Sequence, residues 1–398
     1  MITEALMVAI LAFAACGQNK PPIRNPDFGL NVKQLVQRHG YPFENHTVVT
    51  QDGYILEIHR IPYGRNSIAY NNRPPMLLIP GIMCSSVDWV NTGPEKALGF
   101  ILADRGYDVW LGNTRGTTWS RRHIRLDPDR DKKEFWDYSF HEIGSYDLPA
   151  FIDHMLNVTA HKRLFYVGHS QGTASLFVLA SLKPHYNNKI RLSIALSPLA
   201  YAAHIRSPVT LFIAKFWSLV EAFVHTTQFY EVLPSTPLFG LLAQIFCNDY
   251  SPFQNSICAG IFYVAGGYSP DQLNTSLIPV IGSNTPSGSS MKQMQHYAQL
   301  YLSKSFRQYD YGGKINLEKY NQPTPPKYDL GKVTIPHLFY YGSNDLFSRK
   351  EDVDKTVSEL PNVIINKRIE GFNHLDSLWG IDAVKLIFNE VLEFMKQF

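Results

Sequence analysis

The chain has 398 residues, of which 45% are hydrophobic and 18% are charged, and its formal net charge at pH 7 is +3. This balance is that of an ordinary globular protein, long enough for one large core with an inserted domain. Because the net charge is small and no run of lysine and arginine stands out, the sequence lacks the electrostatic footprint of a nucleic-acid-binding protein.

The N-terminal segment predicts a signal peptide. Residues 5–16 are uncharged and mostly apolar, and the sequence turns polar after Gly17. The apolar run is too short to span a bilayer, and the small residues at 14–17 suit cleavage near position 17. We therefore expect residues 1–17 to direct the chain into the secretory pathway. No second hydrophobic run is long enough for a membrane span, so we expect no transmembrane anchor.

Three glycosylation sequons and the cysteine pattern agree with this compartment. The sequons begin at Asn45, Asn157 and Asn274, and each predicts a surface position in a secreted protein. Cys247 and Cys258 close a short loop and can form a disulfide in an oxidising compartment.

The remaining mature cysteine, Cys84, lies in a loop flanked by glycine and serine, and we expect it to be a small packed side chain rather than a reactive thiol. No cluster of cysteine and histidine has the spacing of metal ligands, so we predict neither a metal nor another cofactor.

Short apolar strands alternate with helix-like segments through the first half of the chain. A hairpin signal, Asp52-Gly53, joins the first two strands. The alternation predicts a doubly wound, mostly parallel sheet with helices on both faces. The predicted strands are residues 47–50, 54–61, 76–79, 107–111, 164–167 and 192–196, and the predicted helices lie within 25–40, 98–104 and 139–156 and after Thr173.

The alternation stops at Ser197-Pro198. Residues 200–325, called the insertion below, are rich in aromatic residues and proline and carry helical apolar runs at 211–224 and 238–246. We interpret the insertion as a helical cap between two parts of a sheet domain, residues 18–199 and 326–398. The second part has strand patterns at 335–341 and 362–366 and an amphipathic helix at 383–394.

One stretch, residues 164–173, carries the chemistry. A short apolar strand leads into Gly168-His-Ser170-Gln-Gly172, and an apolar helix follows. Strand, Gly-x-Ser-x-Gly and helix together form a nucleophile elbow, in which the serine hydroxyl stands exposed at the helix N-terminus. A glycine-rich turn with an incidental serine is the alternative, but the strand and helix on either side favour the elbow.

The remaining catalytic residues follow from chain order, because in this fold the acid and the histidine come after the serine. Asp345 follows the strand at 335–341, and His374 follows the last strand. We predict that His374 takes the proton of Ser170 and that Asp345 holds its imidazole. The expected oxyanion donors are the backbone N–H groups of Gln171, next to the nucleophile, and of Ile82, after an early strand.

Other candidates fit less well. His161 and His169 lie too close to Ser170 in sequence to act as its base, and His337 lies inside a strand, where we expect it to be packed. Asp376 follows His374 too closely to orient it, and we predict that it caps a helix beginning at Ser377.

Together these residues resemble the acid lipase family of animals, which includes gastric, lysosomal and related insect and arachnid lipases. The resemblance runs from about residue 25 to the C-terminus and implies an α/β-hydrolase fold, a Ser170–Asp345–His374 triad and a disulfide between the two cap cysteines. One position departs from it, since Pro80 stands where the family usually has histidine. The stretches that carry the resemblance are 40–42, 48–56, 98–104, 106–116, 119–121, 135–140, 168–172, 342–345 and 373–376.

The resemblance implies a lipase that hydrolyses triacylglycerols or sterol esters at a lipid–water interface, without a cofactor, as a secreted or lysosomal monomer. The insertion agrees, because residues 211–220 and 238–242 offer more apolar surface than a water-soluble substrate needs. A carboxylesterase acting on smaller soluble esters would keep the same triad with a smaller cap. A non-enzymatic lipid-binding or storage protein would be expected to lose Ser170 or His374, and both are present.

Overall fold

A central twisted sheet organises the protein. The computed structural model describes residues 25–67, 72–234, 247 and 257–398; the predicted signal peptide (1–17) and the apolar run at 238–246 lie outside these residues. Within them, one sheet has the strand order β1-β2-β4-β3-β6-β7-β10-β11, with β5 paired to β2, and β8 pairs with β9 in a separate ribbon. The strands are β1 Glu44–Val49, β2 Tyr54–Ile61, β3 Pro75–Ile79, β4 Asp108–Gly112, β5 Arg122–His123, β6 Leu164–His169, β7 Ile190–Leu196, β8 Glu231–Val232, β9 Ser289–Ser290, β10 His337–Gly342 and β11 Val363–Ile369.

Helices cover the sheet and build the described parts of the insertion. The α-helices are α1 Val32–Arg38, α2 Leu98–Asp104, α3 Lys132–Phe135, α4 Phe140–Glu142, α5 Leu148–Thr159, α6 Gln171–Leu182, α7 Pro208–Lys215, α8 Trp217–Thr227, α9 Ala259–Gly266, α10 Ile278–Gly282, α11 Met291–Ser303, α12 Gly313–Tyr320, α13 Lys350–Glu359, α14 Asp376–Trp379 and α15 Asn389–Met395. Short 3-10 turns lie at Ser86–Trp89, Pro184–Lys189, Thr275–Leu277 and Leu330–Lys332.

The predicted doubly wound, mostly parallel sheet is confirmed. Strand β2 pairs antiparallel with β1 and β4, and all neighbours in the run β4-β3-β6-β7-β10-β11 pair parallel. Strand β3 shows why both faces are covered: Leu77 and Ile79 belong to one apolar cluster, whereas Met76 and Leu78 belong to the other. Alternate residues of a strand point to opposite faces, so a strand buried on both sides is apolar throughout.

Three predicted helices differ in detail from the structure. The helix predicted at 139–156 consists of α4 and α5 joined by a π-helical turn, Ile143–Asp147, and a similar turn, Val384–Phe388, precedes α15. The run predicted at 211–224 is divided into α7 and α8, which meet at 91°. In the part of the chain described here, no single helix is long and apolar enough to cross a membrane, and this bent pair meets the criteria of length and composition only together.

The insertion carries the disulfide. Cys247 and Cys258 are bonded, with their Cα atoms 5.7 Å apart, and Cys258 lies immediately before α9. Cys84 is a free cysteine and is buried, as expected for a small packed side chain.

Candidate active site

The elbow between β6 and α6 holds Ser170 in a strained backbone conformation, with φ 52° and ψ −115°. The Ser170 N–H donates to the carbonyl of Leu196, at the end of β7, at 2.9 Å. Gly172 is required because a Cβ at this position would lie 2.4 Å from the carbonyl oxygen of Ile79 in β3. The glycine therefore lets the start of α6 approach the sheet closely enough to form the turn.

Ser170, His374 and Asp345 form a continuous hydrogen-bonded chain. Ser170 Oγ lies 2.7 Å from His374 Nε2, and His374 Nδ1 lies 2.9 Å from both carboxylate oxygens of Asp345. Since a carboxylate only accepts, Nδ1 carries the proton and Nε2 accepts from the serine hydroxyl. The three side chains are 3%, 5% and 0% exposed, so water competes little for these bonds.

Asp345 is stabilised as a carboxylate. The backbone N–H groups of Phe347 and Ser348 donate to its Oδ1 at 2.7 and 2.8 Å. Burial acts against ionisation, but the adjacent His374 imidazole and these two donors hold the pKa of Asp345 below its usual value. The side chain is therefore a permanent acceptor for His374 Nδ1–H.

The loops that carry Ser170, Asp345 and His374 meet because they leave parallel strands at the same edge of the sheet. Ser170 follows β6, Asp345 follows β10 and His374 follows β11. Parallel strands of an open α/β sheet place their carboxyl ends together, and this edge is where such folds bind ligands.

His337 and Asp376, the alternatives to His374 and Asp345 in the sequence, are not part of this hydrogen-bonded chain. His337 is fully buried in β10, where its ring packs against Phe177, and burial lowers its pKa to about 3. The prediction that Asp376 caps a helix is wrong: α14 begins at Asp376 itself, after the N-cap residue Leu375. The Asp376 carboxylate turns back instead and accepts the N–H of Asn373 at 2.6 Å.

Two contacts to the backbone of His374 were not predicted from the sequence. His169 Nε2–H and the Ser197 hydroxyl both donate to the His374 carbonyl, at 2.9 and 3.0 Å. Burial, and the nearby His374 ring, lower the pKa of His169 to about 3, so it is neutral and has a single N–H to donate. Ser197 follows β7 directly, and this position at the carboxyl edge of the sheet is the one sequence signal for it.

The two predicted oxyanion donors lie on either side of the candidate nucleophile. Gln171 is the first residue of α6, where backbone N–H groups have no carbonyl partner within the helix. On the other side, a Cβ on Gly81 would lie 3.2 Å from Ser170 Cβ and 2.9 Å from His169 Nδ1. The loop after β3 therefore passes directly beside Ser170, and Ile82 is the next residue along it.

Asp88 lies buried behind this loop. Its carboxylate accepts the Ser85 N–H at 2.7 Å and the Thr285 hydroxyl at 2.6 Å. Burial raises the pKa of Asp88 to about 6, although both hydrogen bonds favour the charged form. The folded protein therefore binds this proton more tightly than the unfolded chain does.

Because the folded state binds the Asp88 proton more tightly, the difference in stability between the protein and its Asp88→Asn variant should depend on pH. The contribution of Asp88 to the free energy of unfolding is complete below about pH 4 and is lost as the pH rises through about 6. Its size is about 3 kcal/mol, because the pKa differs by roughly two units between the folded and unfolded states. We therefore expect the wild type to gain that much free energy of unfolding relative to the variant between pH 7 and pH 4, measured by urea denaturation. Parallel pH profiles for the two proteins would contradict the shift.

Other features of the described residues offer no second catalytic centre. No three histidine, cysteine, aspartate or glutamate side chains among them are grouped so as to hold a metal ion. A cavity of about 300 Å³ contains no triad residue in its walls. Its arginine, Arg121, is already paired with Asp129 and Glu231. The cavity is lined by Gly116, Thr118, Arg121, Glu231, Pro234 and Ser287.

A serine, a histidine and an aspartate bonded in this order at the carboxyl edge of a doubly wound sheet define a serine hydrolase of the α/β-hydrolase class. Known sequences refine the class. A family model described as a partial alpha/beta-hydrolase lipase region matches residues 32–93, and one for the alpha/beta hydrolase fold matches residues 74–224.

Mouse gastric triacylglycerol lipase is 37% identical over 94% of this chain and 93% of its own. Lipase 3 of Drosophila melanogaster is 40% identical over 92% of each chain, and human lipase member J is 38% identical over 92% of this chain and 99% of its own. The protein therefore belongs to the animal acid lipase family, and it is a serine ester hydrolase.

Solved structures agree on the fold at much lower identity. E-2-(acetamidomethylene)succinate hydrolase superposes with a TM-score of 0.51 at 14% identity, covering 89% of this chain and all of its own. A carboxylesterase from Bacillus subtilis gives 0.50 at 12% identity, covering 91% and 95%.

Proposed function

We propose that this protein hydrolyses the carboxylic esters of neutral lipids, triacylglycerols or sterol esters, through an acyl-enzyme formed on Ser170. The observation that carries the proposal is the hydrogen-bonded chain from Ser170 Oγ through His374 to Asp345, at 2.7 and 2.9 Å. The imidazole lies within reach of the serine proton and is bonded to Asp345 through its other nitrogen, which supports its proposed role as the base.

The proposed reaction follows from the positions of these groups. Ser170 Oγ attacks the ester carbonyl while its proton passes to His374 Nε2, and the imidazolium then protonates the leaving alcohol. Asp345 stabilises the charged imidazole throughout. The negative charge that develops on the carbonyl oxygen is met by the N–H groups of Gln171 and Ile82. Water repeats the sequence on the acyl-enzyme and releases the fatty acid.

Apolar side chains exposed on the insertion support a lipid substrate. Phe212 and Phe216, one helical turn apart, have ring centroids 5.0 Å from each other, and Leu219 and Phe223 lie one turn apart on α8. These four residues, the apolar patch below, are between 40% and 66% exposed. A cluster of exposed apolar side chains marks a binding surface, and the exposed half of each would gain on the order of 1 kcal/mol on transfer into lipid.

The proposed domain organisation assigns this patch to a cap. The insertion, residues 200–325, leaves the sheet domain after β7 and returns before β10, between the strands that carry the nucleophile and the acid. We propose that it covers the pocket formed by the two parts of the sheet domain, 18–199 and 326–398, and that a lipid surface stabilises its open arrangement.

A secretory location is proposed on three grounds. First, a relative is named gastric triacylglycerol lipase. Second, the Cys247–Cys258 disulfide suits an oxidising compartment. Third, the sequon residues Asn45 and Asn157 are exposed. Asn274 is half-buried. Secretion into a digestive fluid and delivery to a lysosome are both consistent with these features, and we propose that the enzyme acts there as a monomer.

The purified glycoprotein should hydrolyse emulsified long-chain triacylglycerol or cholesteryl oleate faster than a soluble short-chain ester. Replacing Phe212 and Leu219 together with serine should lower the rate on the emulsion about tenfold or more, since two exposed apolar anchors are lost. The rate on the soluble ester should change less than twofold. Both rates are measured on the same preparation across pH.

Two further variants separate interfacial binding from folding. Ile124→Ser removes an equally exposed apolar side chain, 58% exposed, outside the insertion and should leave both rates unchanged. Ile213→Ser removes a buried residue that packs with Ala298 and should lower both rates together. If the Phe212 and Leu219 variant leaves the emulsion rate intact, the patch has no role at the interface and the soluble carboxylesterase is favoured.

A further inference from the structure

The loop that carries the proposed Ile82 donor is strained. It turns sharply after β3, where the Cys84 N–H donates to the Gly81 carbonyl at 3.2 Å. Met83, inside this turn, has φ 61°, a left-handed conformation that is uncommon for residues with a side chain. Strained residues of this kind persist only where the surrounding structure holds them.

The sheet domain holds one end of this loop, where the Ser86 N–H donates to Asn113 Oδ1 at 2.9 Å, and the insertion supplies two further hydrogen bonds. The Ser287 N–H donates to the Met83 carbonyl at 2.7 Å, one residue beyond Ile82. The Thr285 hydroxyl donates to Asp88 Oδ1 at 2.6 Å, and Asp88 Oδ2 in turn accepts the Ser85 N–H. Thr285 and Asp88 are 197 positions apart in the sequence, so these contacts join two separate parts of the chain at the back of the loop.

Water has little access to the loop side of these bonds, although Thr285 itself is half-buried. Asp88 is 2% exposed, Ser287 is 1% exposed and Ser85 is 1% exposed. A buried donor or acceptor that loses its partner keeps the full cost of having been removed from water. Without the Thr285 hydroxyl, Asp88 Oδ1 would keep the longer contact from Asn91 Nδ2, at 3.4 Å. We therefore expect the carboxylate, and the loop bound to it, to shift.

The same insertion also contacts the other side of the catalytic centre. The carbonyl of Gly266, at the end of α9, accepts the N–H of Leu346 at 3.3 Å and the N–H of His374 at 3.1 Å. This carbonyl thereby links the loop after β10, which carries Asp345, to the loop after β11, which carries His374. These contacts come from the part of the insertion after the disulfide, whereas the apolar patch lies on α7 and α8, before it.

We propose that the insertion has two roles. Its first part presents the apolar patch to lipid, and its second part, after the disulfide, positions the loop that carries Ile82 through Thr285 and Ser287. This inference rests on the proposed assignment of Ile82 as an oxyanion donor. Thr285 is a positioning residue: it acts through Asp88 on the backbone and contacts no reacting atom.

The test uses Thr285→Val, which keeps the shape of the side chain and removes its hydroxyl. Loss of a whole oxyanion donor typically costs about a hundred- to a thousandfold in turnover, so a displaced donor should cost about tenfold. We expect kcat on a soluble short-chain ester, expressed per active site titrated with a phosphonate, to fall by about that factor with little change in KM. Affinity for an alkyl boronic acid, whose tetrahedral adduct uses the same donors, should fall in parallel.

Thr285→Ser should restore kcat because it returns the hydroxyl, and Thr227→Val, which removes a hydroxyl from exposed α8, should have no effect. Titrating the active sites excludes unfolded molecules from the comparison. If Thr285→Val keeps wild-type kcat per site and wild-type boronic acid affinity, the proposal is overturned. That result would leave the lipase proposal intact, which depends on Ser170 and on the ratio of emulsion to soluble rates.

Discussion

Ser170→Ala should lower turnover on any ester by about a millionfold while leaving the fold unchanged. The hydroxyl is the only group in the proposed mechanism that forms a bond to the substrate, and loss of the nucleophile from such a triad has typically cost a factor of this size. The measurement is kcat on a soluble short-chain ester, together with stoichiometric labelling by a phosphonate, which should disappear in the variant.

A matched serine provides the control. Ser175 lies in the same helix, α6, is fully buried, and its hydroxyl has no hydrogen-bond partner in the described structure. Ser175→Ala should therefore keep both activity and labelling. Substantial ester hydrolysis by carefully purified Ser170→Ala would refute the assignment of the nucleophile and, with it, the proposed acyl-enzyme.

The features that sequence reasoning predicted depend on local spacing or on chain order. The elbow could be predicted because two glycines, Gly168 and Gly172, bracket Ser170 between an apolar strand and an apolar helix. A Cβ on Gly172 would collide with β3, and a Cβ on Gly168 would lie 2.9 Å from the backbone at the start of α6. Asp345 and His374 could be selected because parallel strands bring the residues that follow them to one edge. Neither argument needs a side-chain contact to be known in advance.

The features that were missed depend on contacts between distant residues. Nothing in the sequence pairs Thr285 with Asp88, and nothing indicates that His169 donates to the carbonyl of His374. Such bonds depend on how loops pack after the sheet has formed. The Asp376 error has a similar origin, since an aspartate before a helix suggests a cap, and only the path of the loop shows that its carboxylate turns back to Asn373.

Asp345→Asn should lower kcat about ten-thousandfold, the loss typical when this acid becomes an amide. Both Asp345 oxygens lie 2.9 Å from His374 Nδ1 and accept its proton. An amide offers one oxygen and one NH₂ group, so it can favour the tautomer in which Nε2 carries the proton and can no longer accept from Ser170. It also removes the negative charge that stabilises the imidazolium.

Asp376→Asn should by contrast change kcat by less than about tenfold, although this carboxylate is closer to His374 in sequence. Its one backbone contact here is to the Asn373 N–H, which an amide oxygen can still accept. Burial raises the pKa of Asp376 to about 6, so at pH 5 it is already largely neutral and asparagine is a close substitute. Measuring kcat per titrated site for both variants at pH 5 decides between the two acids: a severe loss in Asp376→Asn with a mild one in Asp345→Asn would reverse the assignment.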